Sequence, residues 1–93
     1  VYRGLDNAGV TRYYGVTRRA PNVRFNEHLR ATGTGREMLD YEVIQGNLSR
    51  SEALRMEQMG INQFGMQRNG GQLLNQRNAI APNRWIQFNL PSP

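Results

Sequence analysis

The sequence predicts an α+β fold: a small β-β-α-β-α domain in which a three-stranded antiparallel sheet is flanked by helices. Three observations carry this. An alternating run follows a short β-prone segment across a turn, as in a hairpin. Two stretches carry helix-start signals, and a third alternating run lies between them. Strands joined by a hairpin are antiparallel, which sets the fold apart from doubly wound α/β proteins. The 93 residues leave room for a single domain, 1–93.

The hairpin spans 1–17. Asn7 and Gly9 sit in its turn and tolerate positive φ. Val10, Tyr14 and Val16 then alternate with Thr11, Tyr13 and Thr17. Pro21 suits the first turn of a helix over 21–31. Val23, Phe25 and Leu29 are expected to face a core there, with Arg24 and His28 on a neighbouring face. The run Thr32-Gly33-Thr34-Gly35 ends that helix. A strand over 39–45 places Leu39, Tyr41 and Val43 on one face, and Gly46-Asn47 closes it. Ser49 and Glu52 form a capping box for a helix over 50–64, with Gly65 as its stop. In the extension 70–93, Leu73, Leu74 and Ile80 read as buried. Alternation of Ile86, Phe88 and Leu90 reads there as an extended segment packed on the domain.

Composition narrows the chemistry. There is no cysteine, which excludes disulfides, a thiolate nucleophile and Cys-ligated metal centres. A single histidine excludes a multi-His metal site within one chain. No apolar run approaches the roughly 20 residues of a membrane span. Twelve basic residues, all arginine, outweigh seven acidic ones and give a net charge of +5. Such a balance favours polyanionic partners, and the guanidinium fork suits phosphate. Arg18, Arg19 and Arg24 are the candidate nucleic-acid contacts.

Glu57 is the most telling residue. It shares a helical stripe with Ala53, Ile61 and Phe64, which is expected to face inward. A carboxylate there calls for an arginine partner, a place at the stripe's edge, or a metal ion. One carboxylate suffices for Mg²⁺, which keeps most of its waters and takes further oxygens from substrate phosphates. Arg24 can offset charge on a phosphoryl transition state. Tyr2 and Tyr13 are strand hydroxyls that serve either packing or chemistry. His28 is either a polar helix residue or a proton acceptor, which would put an acid limb between about pH 5 and 7. Asn75 has three open roles: bonding a phosphate, holding the Tyr2 hydroxyl, or capping a local turn.

In this order the residues resemble the GIY-YIG nuclease family. Val1-Tyr2 looks like the end of the first motif. Tyr13-Tyr14-Gly15 looks like the second, with Tyr14 in place of an aliphatic residue. Arg24 resembles the family's catalytic arginine, Glu57 its metal-binding glutamate and Asn75 its late asparagine. The resemblance covers Val1 to about Pro82. It implies phosphodiester hydrolysis dependent on Mg²⁺ or another divalent cation. Glu57 would hold the metal, Arg24 would contact the phosphate and Tyr13 would position the water or the phosphate. Tyr2 would act on the attacking water. With a hydroxyl pKa near 10, Tyr2 needs an acceptor at neutral pH, and His28 is the candidate.

A narrower resemblance concerns the runs Arg24 to His28, Ser51 to Glu57 and Leu74 to Pro82. They are similar to GIY-YIG-type domains at the C-terminal tips of bacterial polymorphic and contact-dependent toxins. The Val1 start and the Pro91-Ser92-Pro93 end fit a tip of a larger protein. The resemblance implies delivery by a secreted or surface protein, action in the target-cell cytoplasm without membrane insertion by this domain, and a cognate immunity protein. DNA is the favoured substrate. RNA on the same fold is the first alternative. A nucleic-acid-binding module without turnover, or a structural domain with a basic surface, are the others.

Overall fold

The computed structural model describes residues 1–91. Residues 92 and 93, the end of the expected C-terminal extension, lie outside the described residues. Strands β1 (Tyr2–Leu5), β2 (Thr11–Gly15) and β3 (Asp40–Val43) form one antiparallel sheet in the order β2-β1-β3. Helix α1 (Pro21–Leu29) links β2 to β3, and helix α2 (Arg50–Phe64) follows β3. Short 3-10 turns occupy Arg36–Met38 and Gln67–Asn69, and a longer one Pro82–Phe88. The fold is the expected small α+β domain.

The register explains which side chains meet. Tyr2 pairs with Gly15 and Val43, and Gly4 pairs with Tyr13 and Tyr41. Side chains of directly paired residues share a face, so Tyr2, Tyr13 and Tyr41 stand together. Tyr14 pairs with Arg3 and points the other way. There it joins Ile61, Met66 and Leu73 in the apolar core. The register shifts between Gly4 and Leu5, where Leu5 pairs with Thr11, leaving Arg12 as the extra residue of a bulge.

Two glycines make room for tyrosines. A β-carbon on Gly60 would lie 2.7 Å from the Tyr14 ring, so α2 approaches β2 closely only because residue 60 has none. A β-carbon on Gly15 would fall onto the Tyr2 phenol. Helix α2 begins and ends as its sequence directs. The Ser49 hydroxyl accepts from the Glu52 amide, and the Glu52 carboxylate accepts from the Ser49 amide. Gly65 stops the helix at φ 74°.

Several expectations are corrected. Helix α1 stops at Leu29 and β3 at Val43, each shorter than expected. The face of α1 turned to the sheet is not that of Val23 and Leu29, which are 42% and 50% exposed. It is the face of Phe25 and His28, because the tyrosines of the sheet offer aromatic partners. Leu73 and Ile80 are buried as expected, while Leu74 is only half-buried. The segment of Ile86 and Phe88 is a 3-10 helix started by Pro82, with Ile86 76% exposed. The Trp85 indole N–H donates to Ile80 O at 2.8 Å, and Arg55 on α2 donates to Phe88 O and Asn89 O. These bonds wind the segment down where alternation alone points to an extended chain.

Candidate functional site

Segment 72–75 runs beside β2. Leu74 N donates to Arg12 O at 2.6 Å, and the Gln72 side chain donates to Thr11 O. Asn75 continues this edge with its side chain: Oδ1 accepts from Tyr14 N at 3.0 Å and Nδ2 donates to Tyr14 O at 2.7 Å. The amide thus stands in for a strand's peptide group and covers the edge of β2. Of the three roles open to Asn75, neither the Tyr2 hydroxyl bond nor a local turn cap is what the fold uses. Gln58, fully buried on α2, secures the next turn of the segment. Its Nε2 donates to Asn78 Oδ1 and its Oε1 accepts from Ile80 N. Nothing in the helical pattern singles out Gln58, because an amide buried beside Glu57 looks like any polar position until its partners are known.

A cleft of about 900 Å³ opens between α2, this segment and the loop after α1. Tyr13, Arg24, Glu57 and Asn75 line it. Four residues expected from four separate stretches of sequence therefore meet at one place. Arg36, Arg50 and Arg77 also line it and were not foreseen. Their signal in the sequence is only membership in an arginine excess. Arg18 and Arg19 do not line this cleft; they border a smaller hollow beside Tyr2, and Arg19 is paired with Glu27.

Beneath Tyr13 and Arg24 lies an aromatic box. The His28 ring is stacked on Tyr41, 4.7 Å between centroids, and meets Tyr13 edge-on at 4.8 Å. Tyr41 belongs to the sequence-expected strand but its role was missed; its hydroxyl donates to Arg36 O at 2.6 Å and so pins the cleft's loop wall. The Tyr2 hydroxyl sits 2.6 Å from His28 Nε2 and accepts from Arg24 Nε at 3.3 Å. Tyr2 is 2% exposed and His28 1%. Tyr2 is not among the cleft-lining residues, so its hydroxyl meets the cleft only through Arg24. His28 Nδ1 is buried without a partner among the described residues.

Burial sets the charge states. The Tyr2 hydroxyl is pushed up to about 12, by burial first and then by Tyr13, with the Arg24 hydrogen bond opposing. His28 is pushed down to about 4, by burial and then by Arg24 and Arg36, so it is neutral at pH 7. Glu57 is pushed up to about 7 by burial, against the pull of Arg50 and Arg24. Glu57 makes no ion pair and no hydrogen bond with any described residue, so the structural ion pair left open by the sequence does not form. No group of three His, Asp or Glu side chains converges among the described residues. A half-buried carboxylate without a protein partner among the described residues, facing a polar cleft, fits a one-carboxylate Mg²⁺ site completed by water and phosphate oxygens.

Compared with known protein families, curated proteins and solved structures, the chain matches none.

Proposed function

We propose that the protein is a GIY-YIG-like endonuclease that hydrolyses phosphodiester bonds with the help of a divalent cation. The observation that carries this reading is the meeting of unpartnered Glu57 with Arg24 and Tyr13 in one arginine-lined cleft. Glu57 would hold Mg²⁺ or a similar ion. Bound there, such an ion supplies Lewis-acid stabilisation of the phosphoryl oxygens and lowers the pKa of water. Arg24 presents its guanidinium to the non-bridging oxygens. Tyr13 orients the water or the phosphate. Tyr2 holds Arg24 through its oxygen, and its hydroxyl is itself fixed by the hydrogen bond to neutral His28 Nε2, so both act by positioning the guanidinium. The ordered motif resemblance supports the same reading and extends it to a DNase tip of a larger delivered toxin. An acidic immunity protein would complement the basic cleft.

Purified protein incubated with plasmid DNA and with total RNA, with Mg²⁺ or chelator, tests the proposal. Cleavage that chelator blocks and Glu57→Gln abolishes is expected. Cleavage of RNA alone would move the substrate to RNA. Binding without cleavage under any divalent ion would leave a nucleic-acid-binding module.

A further inference from the structure

The cleft's polar side chains divide into two groups. Its amides are engaged by the protein itself. Asn75 spends both ends on Tyr14, Asn78 Oδ1 accepts from Gln58, and Gln76 Nε2 donates to Leu74 O. Asn and Gln are the side chains that read adenine edges bidentately; here Asn75 has both ends committed, and Asn78 and Gln76 each have one end bonded within the protein. Among the described residues Tyr13 is the only aromatic side chain lining the cleft, and a single ring does not make a platform for stacking successive bases. The arginines are the opposite case. Arg36, Arg50 and Arg77 make no ion pair with any described residue, although all seven Asp and Glu side chains of the chain lie within the described region. Arg36 donates only its Nε, to Thr34 Oγ1 at 3.3 Å, and neither of its terminal nitrogens is hydrogen-bonded to a described residue. They stand on separate elements: Arg36 in the 3-10 turn after α1, Arg50 at the start of α2, and Arg77 two residues past the segment beside β2.

We propose that Arg36, Arg50 and Arg77 hold the phosphates flanking the one bound at Arg24, so that the cleft follows the backbone of a polynucleotide strand without reading its bases. This rests on the nuclease reading for the place of the reacting phosphate. The binding it describes needs no turnover. Phosphate contacts fix register and carry no sequence information, so cleavage is spread over all sequences. Substrates shorter than the arginine array bind weakly.

Binding of fluorescein-labelled oligonucleotides, single-stranded and duplex, DNA and RNA, is measured by anisotropy in chelator across a range of salt. Single Arg36→Ala, Arg50→Ala and Arg77→Ala variants should each flatten the plot of log affinity against log salt. The loss expected is about 0.7 on a single strand or about 0.9 on a duplex. Oligonucleotides of equal length and different sequence should bind alike. Arg84→Ala, which removes an arginine that lies over Phe88 outside the cleft, should leave the slope as in the wild type. Slopes unchanged in all three cleft variants, or strong preference for one sequence, would overturn the proposal. Hydrolysis of bis(p-nitrophenyl) phosphate by the wild type is followed separately. Turnover of that small diester with unchanged slopes removes the phosphate track and leaves the nuclease reading standing. Flattened slopes without turnover of any diester do the reverse.

Discussion

Arg24 bonds Tyr2 through Nε at 3.3 Å, and its Nη1 reaches Glu27 at 3.3 Å. A planar fork held from two sides is pre-aimed, and an ammonium cannot copy it. Arg24→Lys is therefore expected to lose at least about 100-fold in kcat/KM, roughly the worth of one strong transition-state contact. If Tyr2 acts only through Arg24, the Tyr2→Phe/Arg24→Lys double variant should be no slower than the slower single variant. Full additivity in steady-state kinetics would instead give Tyr2 a direct role. Glu57 and His28 shape the pH dependence in opposite directions. Glu57 rises from 4.5 to about 7 on folding, so the fold binds the extra proton and loses stability as pH climbs through that interval. His28 falls from 6.5 to about 4, so the unfolded chain binds the extra proton and stability rises with pH over that range. The two slopes largely cancel between pH 4.5 and 6.5 in the wild type. Glu57→Gln removes one of them. It should match the wild type near pH 4.5 and exceed it by about 1–3 kcal/mol above pH 7, seen as a growing gap in urea midpoints. Mg²⁺ should raise the wild-type Tm and leave that of Glu57→Gln unchanged. The acid limb of cleavage belongs near pH 7, where Glu57 protonates in competition with metal, and should move down as Mg²⁺ is raised. The pH 5–7 limb expected of His28 is displaced to about 4 by its burial.

Among the elements, β2 and α2 meet at one tight contact. Tyr14 occupies the space that Gly60 leaves, and Asn75 closes the other side of the strand. Gly60→Ala is expected to destabilise by about 1–3 kcal/mol through overpacking. Combining it with Tyr14→Ile should recover part of that loss, which a double-mutant cycle of denaturation midpoints would show. Asn75→Ala leaves Tyr14 N and O buried without partners, at about 1–3 kcal/mol for each group. The segment it anchors carries Arg77 into the cleft, so binding should weaken along with stability. The capping box of α2 was legible because both of its partners lie within four residues. The Asn75 edge was not, since its partner lies 61 residues away.

Across the whole molecule the apolar core is thin. Tyr14, Ile61, Met66 and Leu73 form its centre, and Leu73 is completely buried. Leu73→Ala should cost about 2–5 kcal/mol, enough to leave a domain of this size partly unfolded at 37 °C. Ile86→Ser, at a site 76% exposed, should stay within about 0.5 kcal/mol in the same thermal melts. The contrast separates two residues that the sequence reads alike as packed on the domain. It also explains why a chain with so few large apolar residues can spare an aromatic box for Tyr2 and His28. Stacked rings bury much area per residue and tolerate a polar edge.

What the sequence determined by itself is local. Turn residues, Pro21, the capping box and two-residue alternation set the order of elements and the α+β class, because each acts within a few positions along the chain. The site residues Tyr13, Arg24, Glu57 and Asn75 were legible as types suited to phosphate and metal chemistry, and the tertiary structure brings them to one cleft. The tertiary structure alone decided which face of α1 turns inward, what Asn75 bonds, that Glu57 has no arginine partner, and which of the arginines reach the cleft. Those outcomes rest on contacts between distant segments. Periodicity records how a side chain is directed from its own element, and it carries no trace of what the rest of the chain places opposite.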